Sequence, residues 1–205
     1  MALYEIERKF VYNIALFPTF CQNKGVKPFR SLIQRNTEII KDEYFDFSFN
    51  QLMNNGIYIR KRNDVWEAKQ RRAGDFIRSS FYETNDIDEI RELVHKYSTS
   101  ESANVSKPSN NFGLNTICRY LTTRENWSAD SDFAIMLDTT DFGHAVGEVE
   151  LQAGDEKAAM DRIDDFMERY KWFFGNDKSK PKGKMTAYFD KFGFPSKSSK
   201  RTVRL

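Results

Sequence analysis

YEIERKF, Tyr4 to Phe10, is the stretch on which the reading of the whole chain turns. In an extended strand alternate side chains share a face, so Glu5, Glu7 and Lys9 project one way and Tyr4, Ile6, Arg8 and Phe10 the other. Two carboxylates and an ammonium then line one wall at spacings of roughly 6 to 7 Å. A single stretch of this kind is ordinarily a solvated face. The same alternation of charge returns in later segments, and a barrel with a charged interior needs every one of them.

Working outward, NTEIIKDEYFDFSF (Asn36 to Phe49) sets Asp42, Tyr44 and Asp46 against Phe45 and Phe47. In GIYIRKRND, Tyr58, Arg60 and Arg62 share a face opposite Ile57, Ile59 and Lys61, and Asn63-Asp64 is hairpin-turn chemistry. VWEAKQRR returns with Glu67 and Lys69 opposite Trp66 and Ala68, and FIRSSFYET puts Phe81 and Glu83 together. TICRYLTTREN presents Tyr120, Thr122 and Arg124; DFAIMLDTT presents Met136 and Asp138; AVGEVELQ turns Glu148 and Glu150 away from Val149 and Leu151.

Helical patterns lie between and after these strands. Asn13 to Arg30 reads as a short helix and a turn, and FNQLMNNG as a connector. Asp86 and Glu89 have capping-box spacing ahead of Ile87, Ile90, Val94 and Tyr97. A Ser/Asn-rich segment, Ser98 to Asn111, is expected to be a mobile surface loop. Ala159, Ile163, Phe166, Met167, Tyr170 and Phe174 form one stripe, predicting a helix from about Asp155 to Phe174 on the outside of the sheet. Gly175 to Gly183 reads as a basic turn, KMTAYFDKF as a short amphipathic helix, and the end of the chain as a frayed basic tail. Trp66, Trp127 and Trp172 are expected in the core.

The 205 residues include 18 Phe, enough for one sizeable core, so residues 1–192 are expected to form a single domain with 193–205 as the tail. A formal net charge of +2 argues against a dedicated nucleic-acid binder. Two cysteines, Cys21 and Cys118, are too few for a disulfide framework, and no apolar run reaches the roughly 20 residues that span a bilayer. A soluble cytoplasmic monomer with no membrane or nucleic-acid partner is the expectation.

The expected fold class is therefore α+β, mainly β: about eight antiparallel strands rolled into a closed or nearly closed barrel with helices outside. With the apolar faces outward, Glu5, Glu7, Glu83, Asp138, Glu148 and Glu150 turn inward, together with Lys9, Arg60, Arg62, Lys69, Arg124 and Lys184. Like charges about 4 Å apart repel by about 4 kcal/mol at an effective dielectric of 20, a large share of a domain's stability of about 5 to 15 kcal/mol. A polyphosphate would satisfy the bases, and Mg²⁺ or Mn²⁺ the carboxylates. The chemistry that follows is metal-assisted phosphoryl transfer to water.

YEIERKF, YFD at Tyr44 to Asp46, YIRKR with WEAK, TTRENW, LDTTDFGHAVGEVE and the lysine of KGKMTAYF resemble, in that order, the triphosphate tunnel metalloenzymes of the CYTH superfamily. Among its branches the chain looks most like the thiamine triphosphatases, over Glu5 to about Phe192. The resemblance implies hydrolysis of the terminal phosphate of thiamine triphosphate, with inorganic tripolyphosphate or a nucleoside triphosphate as the alternative substrate and a non-catalytic polyphosphate-binding barrel as the alternative function. It implies Glu5, Glu7, Glu83, Asp138, Glu148 and Glu150 for Mg²⁺ or Mn²⁺, and Lys9, Arg60, Arg62, Lys69, Arg124 and Lys184 for the triphosphate. It places Tyr58 against the organic head, and Lys9, Tyr44 and Lys69 in catalysis. Lys69 would be a water-activating base, its pKa lowered by neighbouring cations. Three positions depart from that branch: Met136 stands where it has a further metal-binding aspartate, Thr123, before Arg124, where it has a base, and Tyr58 where it has a tryptophan.

Overall fold

Each segment in which charge and hydrophobe interleave is a strand. In chain order the elements are β1 (Tyr4–Phe10), α1 (Phe17–Cys21), β2 (Leu32–Asp46), α2 (Gln51–Asn54), β3 (Ile57–Arg62), β4 (Val65–Gly74), β5 (Arg78–Thr84) and α3 (Ile87–Lys96). They continue with β6 (Asn115–Ala129), β7 (Phe133–Thr140), β8 (Ala145–Ala153), α4 (Glu156–Arg169), α5 (Lys171–Phe174) and α6 (Lys184–Phe192). These come from a computed structural model, and the residues described are 4–98, 107–175 and 180–195. The strands close into a barrel in the order β1-β5-β4-β3-β2-β6-β7-β8, every neighbouring pair antiparallel. No helix among the described residues is long and apolar enough to cross a membrane.

Turn chemistry sets the hairpins. Asn63 and Asp64 both take positive φ, 48° and 66°, the conformation that lets a two-residue connection follow strand twist. The apolar faces are outward, beneath helices. Ile6, Phe10, Ile135, Leu137, Val149 and Leu151 pack with Ala159, Ile163, Phe166 and Met167 of α4 in the larger cluster. Gly147 lies opposite Phe10 in the β1–β8 ladder, and a Cβ there would fall 2.1 Å from the Phe10 ring, so the glycine of GEVE is what admits that ring. A second cluster joins Ile57, Ile59, Trp66 and Ala68 to Ile90 and Val94 of α3. The Asp86 carboxylate caps α3 by accepting from the amides of Asp88 and Glu89.

The structure corrects several boundaries. The expected strand Asn36 to Phe49 starts earlier, at Leu32, and stops at Asp46, because the Asp46 carboxylate accepts from the amides of Phe47, Leu52 and Met53 and starts α2 inside the expected connector. The helix expected over Asp155 to Phe174 breaks at Tyr170, whose backbone leaves the helical region (φ −112°, ψ 33°) and whose hydroxyl donates to Asp130. Trp172 is only half-buried, its Nε1 donating to the Lys27 carbonyl. Of the expected loop Ser98 to Asn111, residues 99–106 lie outside the described residues; its far end is a turn, Pro108–Gly113, that buries Phe112 against Trp66. Residues 176–179 of the basic turn and 196–205 of the tail also lie outside the described residues.

Candidate active site

The barrel encloses a cavity of about 530 Å³, within the range of small-molecule sites. Glu5, Glu7, Lys9, Tyr44, Tyr58, Arg60, Arg62, Lys69, Glu83, Arg124, Glu148, Glu150 and Lys184 all line it. Strand alternation brings all but Lys184 inside. Lys184 comes from the first turn of α6, which lays Met185 and Phe189 over one end of the cavity.

One wall is acidic. In the β1–β8 ladder Glu7 stands opposite Glu150 and Lys9 opposite Glu148. Glu5, Glu7 and Glu150 each offer an oxygen within 4.8 Å of the other two. Burial raises the Glu150 pKa well above the ordinary carboxylate value, and the charge of Glu5 adds to it. Glu5 is raised by burial too, with Glu83 and Glu7 adding and Lys69 opposing. Burial alone would do the same to Glu7, but Lys69 and Lys9 outweigh it and hold this carboxyl at about 2. Glu148 is likewise buried yet held low by Lys184, Lys9 and Arg124.

The facing wall is basic, and all the cations of the lining except Arg71 are tethered to carboxylates. Arg62 meets Asp42 bidentately, Nε to Oδ1 at 2.9 Å and Nη2 to Oδ2 at 3.0 Å. Arg124 meets Asp138 in the same way, both bonds 2.8 Å, and reaches Glu148 at 3.4 Å. Arg60 donates from Nε to Glu67 at 2.7 Å and from Nη1 to the Tyr44 hydroxyl at 3.3 Å. Lys184 pairs with Asp138, and Lys9 with Glu7 and, at 3.4 Å, Glu148. Bidentate capture through Nε and Nη2 fixes a guanidinium plane and leaves Nη1 for another anion.

Two expectations change. Asp138 is not brought to the carboxylate group: it is fully buried, and both its oxygens are taken by Arg124 and Lys184. It lies behind Arg124 and Lys184, and Asp42, which sequence reasoning placed on one strand face with Tyr44 without a role, lies behind Arg62 in the same way. Met136 lies on the same inner face, across from Glu148 in register, and is buried. Lys69 is not surrounded by cations. Its ammonium contacts Glu5, Glu7 at 2.9 Å and Glu83 at 3.0 Å, and although burial opposes the charge, Glu7, Glu5 and Glu83 raise its pKa well above the lysine value. The electrostatic ground for a neutral base is therefore overturned. Nor are Tyr44 and Lys69 hydrogen-bonded to each other: the tyrosine hydroxyl is on Arg60. Glu83 stands across from Lys69 in the β4–β5 ladder, and Tyr58 across from it in β3–β4.

Residues that the sequence did not single out complete the lining. They include Ser79, which donates to Glu7 at 3.4 Å, and Met53, Arg71, Phe76 and Phe189. Arg71 had a visible signal, the continuing odd-numbered column Glu67, Lys69, Arg71 on one strand face.

Comparison with known proteins fixes the architecture. No protein-family model and no curated protein matches the chain. Among solved structures, the PH1819 protein of Pyrococcus horikoshii superposes with a TM-score of 0.57 at 16% identity, over 91% of this chain and 99% of that one. A conserved hypothetical protein of Pyrococcus furiosus gives 0.53 at 13%, over 89% and 98%. A candidate adenylate cyclase of Bacillus halodurans gives 0.51 at 16%, over 92% and 100%. The chain shares its fold with these proteins. The shared fold spans nearly the full length of each of these proteins. Identities this low carry the fold and nothing finer.

Proposed function

We propose that the protein is a metal-dependent hydrolase of the terminal phosphoanhydride bond of a triphosphate. One observation carries this reading: an acidic group and a set of tethered bases face each other across a single cavity. Tripolyphosphate chemistry asks for both signs at once, cations for the phosphate oxygens and a hard metal ion to neutralise charge between them.

The donor set fits such an ion. Glu5, Glu7 and Glu150 are all-oxygen ligands of the kind Mg²⁺ and Mn²⁺ take, and their mutual repulsion leaves the group short of positive charge. Glu148 and Glu83 stand at its margins, on Lys9 and Lys69. When bound, the metal supplies Lewis-acid polarisation of phosphoryl oxygens. The remaining work falls to the chain's own groups. Arg60, Arg62, Arg124 and Lys184 hold the phosphates in one extended pose; Lys9 and Lys69, as ammonium ions, balance charge beside the carboxylates; Tyr44, turned by Arg60, orients the attacking water. Positioning and charge stabilisation supply most of the acceleration in phosphoryl transfer, so no strong base is required.

Thiamine triphosphate is the substrate that the sequence resemblance implies, and Tyr58 in the cavity wall supports an aromatic head. Inorganic tripolyphosphate is the second reading, favoured by a guanidinium, Arg71, that donates to the Tyr58 hydroxyl where a cationic head would lie. The test is phosphate release by the purified protein with Mg²⁺ or Mn²⁺ from tripolyphosphate, thiamine triphosphate and ATP, against Glu7→Gln. Metal-dependent release from one of them, lost in the variant, is expected. No release from any of them over hours, with triphosphate still bound in calorimetry, replaces the hydrolase by a binding barrel.

A further inference from the structure

The inward column of β4 runs Glu67, Lys69, Arg71, and its three members are treated differently. Glu67 pairs with Arg60 and Lys69 with carboxylates. Arg71 lines the same cavity and makes no ion pair among the described residues, alone among the basic side chains of that lining. Its Nη2 donates to the Tyr58 hydroxyl at 2.6 Å, its guanidinium lies 4.5 Å from the Phe76 ring, and its Nε is buried with no hydrogen-bond partner. The nearby acid of the β4–β5 hairpin, Asp75, feels the charge of Arg71 but makes no ion pair with it, and its Oδ1 accepts from the amides of Ile77 and Arg78.

The backbone builds this placement. The β4–β5 ladder slips between Arg71 and Ala73, a bulge of the kind that re-aims a side chain. Gly74 then takes φ +83°, and a Cβ there would lie 2.0 Å from the Arg78 carbonyl oxygen, so this tight turn accepts no side chain. The turn carries Phe76, 67% exposed, to the rim of the cavity beside Arg71. A buried guanidinium N–H without an acceptor is costly. Once Tyr58 accepts from Arg71, its own hydroxyl proton is free to be donated. The Tyr58 hydroxyl proton and a full positive charge thus stand at one end of a lumen whose other cations are all tethered to carboxylates.

We propose that Arg71 is a specificity-determining residue that binds an anionic group lying beyond the third phosphate, with Tyr58 and Phe76 holding its guanidinium in place. The ligand chemistry is a linear inorganic polyphosphate of at least four phosphates, and the same charge disfavours a triphosphate with a cationic head. The inference rests on the reading of the cavity as a triphosphate site. It assigns the rim an electrostatic selectivity that the inner wall does not have.

The test is calorimetric binding of tripolyphosphate, tetrapolyphosphate and thiamine triphosphate to the wild-type chain, Arg71→Gln and Tyr58→Phe, with turnover of each measured separately. The wild type is expected to bind tetrapolyphosphate about tenfold or more tighter than tripolyphosphate, as a charge-assisted hydrogen bond implies. Arg71→Gln should bring that ratio to within about twofold and improve thiamine triphosphate relative to tripolyphosphate; Tyr58→Phe should lower the ratio by a smaller factor. An unchanged ratio in Arg71→Gln, or no preference in the wild type, overturns the proposal. If Arg71→Gln does not fold, the ratio in Tyr58→Phe decides in the same two directions. A ratio that behaves as expected with no hydrolysis of any substrate sinks the hydrolase reading and leaves the subsite standing; failure to bind any polyphosphate sinks both.

Discussion

The acidic wall on β1 and β8 and the basic wall on β2, β3 and β6 are neutralised in opposite ways. Across the basic wall, register sets opposite charges face to face: Arg62 with Asp42, Arg60 with Glu67, Arg124 with Asp138. Across the acidic wall Lys9 faces Glu148, but Glu7 faces Glu150, like against like. Directly opposed like charges destabilise a sheet, and opposed unlike charges stabilise it. The basic wall is thus finished as a scaffold and needs only an anion to use its free donors. The acidic wall retains a repulsion that an added cation relieves.

The largest effect should come from breaking that asymmetry on the acidic side. Glu150→Gln removes one of the two facing carboxylates, the one that burial and its neighbours hold furthest above its ordinary pKa. Metal-dependent phosphate release should fall on the order of 10³-fold, since several kcal/mol of charge stabilisation are lost. Stability measured without divalent ions should rise, by up to about 1 kcal/mol, because the like pair is gone. A variant that loses activity and stability together would mean that Glu150 is structural.

Asp138→Asn does the converse on the basic side. It strips the anchor from Arg124 and Lys184, both buried, and leaves two cations short of an anion. Unfolding should become easier by about 3 kcal/mol, and turnover should drop by about 10²-fold through a misplaced guanidinium. Magnesium affinity in calorimetry should stay as it was; a clear loss would return Asp138 to the metal ligands and erase the distinction between the walls.

Much of this was legible in the chain, for a definite reason. Period-two alternation exposes which face a residue takes, so Glu5, Glu7, Arg60, Arg62, Lys69 and Glu148 could be assigned inward from the sequence. Alternation carries no information about register. Which inward residue meets which is fixed by ladders between strands far apart in sequence, so the Arg62–Asp42 fork and the three acids around Lys69 could not be read, and the sign expected for the Lys69 pKa was wrong. Helix breaks set by a tertiary contact, such as Tyr170 on Asp130, leave no periodic trace either. Alternation put Arg71 in the column of Lys69, but that it lacks a carboxylate partner is again a matter of register and turn geometry.

The smallest effect concerns pH and the tether behind Arg62. Burial alone would raise the Asp42 pKa, but the Arg62 fork and the charge of Arg60 outweigh it and place it below the ordinary aspartate value. A carboxyl whose pKa is depressed on folding contributes stability that is fully present above its unfolded value, about 3.9, and is lost as pH falls through the folded value. Denaturant unfolding followed from pH 7 downward should therefore show a shallower acid limb in Asp42→Asn than in the wild type, with the difference confined to pH below about 5. Glu7, Glu148 and Asp138 are held low by cations in the same manner, so they contribute an acid limb in both proteins, and the difference between the two slopes isolates Asp42. Identical limbs would mean that the fork on Arg62 does not persist in solution, and the basic wall would lose its claim to be pre-organised.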